Sequence, residues 1–263
     1  MTDFFSYPGA MGAIVVAVLT GVFLSLLGIP LVLRRRSFTG VALAETAALG
    51  GALGAWMGAP RYVTPLLLAA GVLVLLELVR SRRTGEDGPV ALCYLAAASG
   101  ATLFVSKLPA GEADMMSLHF GNVLSINSSD VLVSIVVAAA GIVLFSLCAR
   151  CLLATLNDPV SARATGLRPP RVRLAYAALL AVGVTFGLSV LGVVPVVAYL
   201  VAPAFVGLRV AATVRGWGIA AALTASLASC AGLVGSFALD FPPGPFVACL
   251  LALVGFAAWA VRR

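Results

Sequence analysis

Residues Ala10–Leu33 read AMGAIVVAVLTGVFLSLLGIPLVL and are followed at once by Arg34-Arg35-Arg36. The stretch carries no charge and is longer than the roughly 20 apolar residues that a helix needs to cross a bilayer. Apolar runs of the same kind recur at 42–58, 63–79, 88–105, 131–147, 174–191, 193–208, 218–239 and 246–260. They predict an all-α polytopic membrane protein of about nine transmembrane helices. The number becomes eight or ten if the stretch 174–208 divides differently around Gly192 and Pro195. Composition agrees: 62% of the 263 residues are hydrophobic and 10% charged, against roughly 45–50% and about 25% in soluble domains. The chain reads as one transmembrane domain over residues 1–263.

Orientation follows from arginine and lysine, which stay on the cytoplasmic side of membrane spans. With the amino terminus outside, nine alternating spans place Arg34, Arg35, Arg36, Arg80, Arg82, Arg83, Arg150, Arg163, Arg168, Arg171, Arg173, Arg209, Arg215, Arg262 and Arg263 inside, together with the carboxy terminus. These are 15 of the 17 basic residues. Only Arg61 and Lys107 fall outside, where they share the face with Asp3, Glu112, Asp114, Asp130 and Asp240. Positive-inside topology therefore accounts for the net charge of +7, and nucleic-acid binding is not expected. The first span is too long for a cleaved signal peptide and has no basic residue before it, so it reads as a retained helix.

Several chemistries are excluded by what the chain lacks. Its single histidine, His119, cannot build a multi-histidine metal site or a Ser-His-Asp triad. Its single lysine, Lys107, is not part of a Gly-Lys-Ser/Thr phosphate loop, so hydrolysis of ATP would need a separate subunit. The cysteines Cys93, Cys148, Cys151, Cys230 and Cys249 lie in or at the edges of spans and read as small packing residues. Cys148 and Cys151 form a lone Cys-x-x-Cys pair without further ligands, which is weak ground for a metal site.

Within the spans, Glu45 breaks the pattern. A carboxylate in a membrane helix costs about 2.5–3.5 kcal/mol on insertion scales and so faces a pathway or a partner; the alternative is neutralisation near the surface by Arg34 to Arg36. Glu77 has Arg80 one turn on and reads as a structural pair. Gly50, Gly54 and Gly58 follow at i, i+4 spacing with alanines around them, the small-xxx-small stripe of closely packed membrane helices. The cytoplasmic stretch 157–167 carries Asp158 as N-cap, Pro159 at the first helical position and Gly166 as C-cap glycine, which predicts a short exposed helix of about two turns. Such a helix is either a docking element or an ordinary capped loop. The outer loop 106–130 is polar. His119 within it could ligate a metal, but a lone histidine in a solvated loop reads rather as polar surface. The second outer turn, 239–245, has prolines that fix entry into the last span.

The order of these segments resembles the permease subunits of the ABC-type zinc and manganese uptake systems, the ABC-3 family. Gly40-Val41-Ala42-Leu43-Ala44-Glu45-Thr46-Ala47-Ala48-Leu49-Gly50 is similar to a second-span motif written Gly-Asp-Ala-Leu-Ser-His-Ala-x-x-Pro-Gly. Leu118 to Leu124 looks like its Leu-Phe-Gly-x-Ile-Leu segment. The run from Asp158 through Ala162 to Gly166 resembles its Asp-x-x-x-Ala-x-x-x-Gly helix. Residues 192–203 and 240–245 match the carboxy-terminal pattern. The resemblance implies a multi-pass protein of the bacterial inner membrane, working as a homodimer or permease heterodimer with two cytoplasmic ABC ATPase subunits and an extracytoplasmic substrate-binding protein. It makes Asp158, Ala162 and Gly166 the ATPase-coupling helix and Glu45 a contact on the translocation path. The cargo would be a divalent metal ion (Mn, Zn or Fe) or a chelated metal, with no resident cofactor.

Val41 and Glu45 stand where the family has aspartate and histidine, and Leu49 where it has proline. The second span thus keeps one hard oxygen donor, a chemistry suited to Mn more than to Zn, or to a chelate. The rival readings are an ATP-independent channel or secondary carrier, and a membrane enzyme or scaffold.

Overall fold

The computed structural model describes residues 10–78, 87–108, 111–121 and 128–260. The side chains of Glu77, Glu112, Asp114 and Asp130, and residues Asp3, Arg80, Arg82, Arg83, Asn122, Asn127, Arg262 and Arg263, lie outside the described residues, and with them the Glu77–Arg80 pairing. All regular structure among the described residues is helical: α1 (Ala10–Leu33), α2 (Ser37–Met57), α3 (Val63–Leu78), α4 (Asp87–Val105), α5 (Gly111–Phe120), α6 (Ser128–Asn157), α7 (Pro159–Ala164), α8 (Pro169–Leu191), α9 (Val193–Val210), α10 (Val214–Ala238) and α11 (Pro243–Ala260). Helices satisfy every backbone N–H and C=O within one segment, which hydrocarbon demands.

Among the described residues eight of these helices are long and apolar enough to cross a membrane: α1, α2, α4, α6, α8, α9, α10 and α11. The ninth candidate, α3, has 16 described residues, about 24 Å at 1.5 Å per residue against a hydrocarbon core of about 30 Å. The outer surface confirms the solvent: Leu92 is 69% exposed and Leu147 74%. So many large exposed aliphatic side chains are stable only against lipid. The protein is a multi-pass integral membrane protein.

Burial runs inward to α1, which packs against α6, α8, α9 and α10. Its approach to α9 is close: a Cβ on Gly21 would stand 2.6 Å from the Tyr199 ring, and one on Gly28 would strike the Leu200 carbonyl. Two tyrosine hydroxyls of this core are satisfied across helices. Tyr176 Oη donates to the Leu27 carbonyl at 2.7 Å, within one turn of Pro30, and Tyr199 Oη pairs with Ser229 Oγ at 2.5 Å. A second group, α2 with α3 and α4, joins the main bundle through contacts of α2 with α1, α8 and α9 and of α3 with α8.

The stretch 174–208 divides where the sequence predicts, at Gly192 between α8 and α9. Two boundaries move. The fifth predicted span, 131–147, is part of the 30-residue α6, because Arg150 ends the apolar run without ending the helix; a long cationic side chain at a helix end reaches out of the apolar zone. This places Cys148 and Cys151 inside α6, both exposed on its surface. The polar loop 106–130 is also not wholly irregular, since it holds α5.

Candidate functional site

Glu45 sits eight residues after the start of α2 and twelve before its end, about 12 Å and 18 Å along the helix axis. It is 8% exposed. It lies in the middle third of α2, packed beneath neighbouring helices. Next to it Thr46 Oγ1 donates to the Ala42 carbonyl at 2.7 Å, the back-bond by which a hydroxyl is satisfied inside a helix.

On the side of Glu45 nearer Arg34 to Arg36, the wall of α2 opens onto a groove. Ser37, Phe38 and Val41 face Val197, Val201 and Phe205 of α9 and Phe256 and Trp259 of α11 around a space of about 650 Å³. Val41 is thus a lining residue of an apolar groove and offers no donor, one helical turn from Glu45.

On the other side, the tip of α5 reaches α2 through Leu118. The Leu118 side chain lies 3.5 Å from where a Cβ on Gly51 would stand. The chain leaves α5 at Gly121, whose φ of 74° and N–H bond to the Ser117 carbonyl at 2.8 Å end the helix. Residues 119–121 then press their backbone against two glycines distant in sequence. A Cβ on Gly192 would stand 2.8 Å from the His119 carbonyl oxygen and 2.7 Å from the Phe120 carbonyl carbon. A Cβ on Gly244 would strike the Phe120 carbonyl oxygen. Gly192 also needs its freedom from a side chain for conformation, with φ 84° and ψ 170°, a region open to glycine almost alone. These contacts hold the backbone of residues 119–121, and the His119 side chain is half-buried.

The sequence reads His119 as polar surface rather than as a ligand, and the structure half-buries it. The only signal was its place directly before Phe120-Gly121. Among the described residues no three His, Cys, Asp or Glu side chains cluster as a metal cage would require.

The predicted glycine stripe splits. A Cβ on Gly50 would lie 2.5 Å from Pro65 Cα, and one on Gly54 would strike Thr64 Oγ1, so both face the first turn of α3. Gly58 does not: it lies beyond α2 with open space around it and closes the helix at φ 68°.

At the arginine-rich end, α7 is shorter than two turns but has both predicted caps. Asp158 Oδ1 accepts the Val160 N–H at 3.0 Å, the N-cap bond to the second helical residue. At the other end the Leu167 N–H reaches the Ala162 carbonyl and the Gly166 N–H the Arg163 carbonyl, each at 3.0 Å, with Gly166 at φ 81°. That pair of bonds is a Schellman closure. Ala162 is buried, while Val160 and Gly166 are exposed. The helix packs on α6 and α8, so Asp158, Ala162 and Gly166 form a unit of their own.

A chelated-iron transport system membrane protein, YfeD, of Yersinia pestis is 26% identical over 253 residues, covering 95% of this chain and 84% of its own. The high-affinity zinc uptake system membrane protein ZnuB of Haemophilus influenzae is 26% identical over 242 residues, covering 88% and 90%. Among solved structures, PsaBC from Streptococcus pneumoniae in complex with Fab shares the fold at a TM-score of 0.89 and 18% identity, over 99% of this chain and 95% of that one. The sequence matches the ABC 3 transport family over residues 6–262, and with nearly its whole length inside that match the chain belongs to this family.

Proposed function

We propose that this chain is the membrane-spanning permease subunit of an ABC importer that carries a divalent metal ion or a metal chelate. The observation that carries the reading is Glu45, a buried carboxylate midway along a span of a transport-family protein. An anion there is costly unless a cation passes or rests beside it. Relatives named for chelated iron and for zinc support the cargo class.

In this reading the end of the bundle bearing Arg34 to Arg36 and α7 faces the cytoplasm, and the amino terminus lies outside. The α7 helix sits in a groove of a separate ATPase and passes its closure to α6 and α8. A second permease copy, or a related permease, completes the path, and an extracytoplasmic binding protein delivers cargo to the face holding α5. The chain works by alternating access: the spans rock so that the site at Glu45 opens first outward and then, past Val41, into the apolar groove. Apart from the Ser37 hydroxyl the lining on the exit side is apolar, with little to retain the ion once it leaves Glu45.

The test is uptake into vesicles that hold the chain with its cognate ATPase and binding protein. Accumulation of Mn2+, Zn2+, Fe2+ or a chelate is expected to need ATP, and Glu45→Gln to lower it by about tenfold or more, the effect of losing ~1.4 kcal/mol from the path, with assembly intact. Equal flux without the ATPase would establish a channel or carrier instead. Unchanged uptake by Glu45→Gln would remove Glu45 from the path.

A further inference from the structure

We infer that Arg61 and Tyr62, in the turn between α2 and α3, form a clasp on the last turn of α8 that holds the outer end of the bundle shut and opens once in each transport cycle. The inference rests on the permease reading above and adds to it the contact that closes the outer side.

Arg61 and Lys107 are the basic residues that the sequence places outside, against the bias that gathers the others at the inner end. For Arg61 the structure supplies a reason. Its guanidinium Nη2 donates to the Ser189 carbonyl, 128 positions away in sequence, and its Cζ lies 5.7 Å from the centre of the Tyr62 ring, within the reach of a cation–π contact. The Tyr62 ring is itself stacked on Phe186, with centroids 4.7 Å apart and planes 16° from parallel. Phe186 and Ser189 are neighbours at i, i+3 on α8, so two successive residues of the turn grip one face of that helix. Ser189 belongs to the last turn of α8, where carbonyls lack an intrahelical N–H and carry the negative end of the helix dipole. A guanidinium answers both needs.

The two sides of the clasp are each tightly built. Gly50 and Gly54 bring α2 against Thr64 and Pro65 with no room for a Cβ at either glycine, so α2 and α3 form one close-packed hairpin at this end. A Cβ on Gly121 would strike the Leu191 carbonyl, so the end of α8 carries the tip of α5. Between these two pieces the clasp is light. Arg61 is exposed, and Tyr62, Phe186 and Ser189 are only partly covered. One hydrogen bond and one ring stack near solvent make a contact of low local stability, which opens without unfolding its neighbours. Its opening parts the α2–α3 hairpin from the α8 end and the α5 tip, and so uncovers the bundle at the end opposite Arg34 to Arg36. The pull has a route: α8 packs on α7 at its start and reaches the clasp at its end, so the helix that α7 touches is the one that Arg61 holds.

The test uses the full complex with its ATPase and binding protein in vesicles, and as cargo whichever of Mn2+, Zn2+ or Fe2+ the unsubstituted complex accumulates. The five cysteines of the chain are replaced by alanine, Tyr62→Cys and Phe186→Cys are introduced together, and a short flexible bis-thiosulfonate joins them after assembly. Joining is expected to bring ATP-driven uptake to background and cleavage of the link by a reductant to restore it, while the reagent has no effect on either single variant. Arg61→Gln is made in the chain with its own cysteines. It loosens the clasp, so ATP hydrolysis in the absence of cargo is expected to rise several-fold with unchanged melting, and Arg61→Lys, which keeps the charge without the planar fork, to fall between the two. If the cysteine-free chain does not assemble, Arg61→Gln decides alone. Undiminished uptake by fully joined complexes, or cargo-free hydrolysis by Arg61→Gln equal to that of the unsubstituted chain, would overturn the clasp while ATP-driven uptake upholds the permease reading. No ATP-driven uptake by the unsubstituted complex would overturn that reading and the clasp with it.

Discussion

The helices α5 and α7 are both too short to span a bilayer, and both sit at the ends of the bundle, but they are fixed by different physics. In α7 the bonds are local. Asp158 caps the start, Gly166 turns the end, and Ala162 is buried beneath. The elements needed to form it lie within ten residues of sequence. In α5 the described contacts are remote: Gly51 of α2, Gly192 between α8 and α9, and Gly244 of α11 receive residues 118–121. A locally capped helix keeps its shape while its neighbours move, which suits a part that transmits a push. A helix tip held by three other elements changes position when any of them does, which suits a part that senses the state of the path.

The largest expected effect breaks the remote attachment. Gly192→Ala places a methyl group against the backbone of His119 and Phe120 and forces an L-residue into φ 84°. The conformational cost alone is about 1–3 kcal/mol, and displacement of the α5 tip adds to it. Melting of the purified chain is expected to fall by several degrees and ATP-driven uptake to drop to background, while hydrogen exchange in α7 stays as it was. Normal uptake by Gly192→Ala would mean that the tip is not held at this junction.

The same contrast explains what could be read from the sequence. The spans, the break at Gly192 and the caps of α7 follow from local rules: length of apolar runs, glycine between two of them, and Asp-Pro with glycine eight residues after the aspartate. Glu45 stood out because a carboxylate in hydrocarbon is costly wherever it sits. Burial of His119 had no local signal. Its neighbourhood is polar, and what draws it inward are glycines 73 and 125 positions away, which a linear reading assigns to turns. Gly58 shows the converse error. Its spacing from Gly50 and Gly54 matched a packing stripe, yet the helix ends first and the residue serves as a cap. Periodicity identifies a face only while the helix lasts. The range of α6 was missed for a related reason, since Arg150 ends an apolar pattern but not a hydrogen-bonded ladder.

A middle-sized effect should separate shape from surface in α7. Gly166 has φ 81° and no atom within 4 Å of an added Cβ, so Gly166→Ala costs only the left-handed backbone, about 1–2 kcal/mol. Gly166→Leu has the same backbone cost but projects a larger group from the exposed face. Both variants are expected to melt alike. Under the proposed docking of an ATPase on this face, uptake should fall moderately for alanine and much further for leucine, whose side chain would obstruct that docking. Equal uptake by the two would show that the face carrying Gly166 is not a docking surface.

The smallest effect tests whether α7 is as self-contained as its bonds suggest. Asp158→Ala removes the acceptor for the Val160 N–H, a loss of about 1 kcal/mol, with asparagine expected to restore most of it. If the helix is stabilised locally, amide exchange should quicken at Val160 and the residues after it, while the α5 tip and the neighbourhood of Glu45 stay protected. Spread of faster exchange into residues 118–121 would mean that the two ends are already coupled without the ATPase. The contrast between a rigid transmitter and a tethered sensor would then give way to a single element that spans the bundle through α6 and α8.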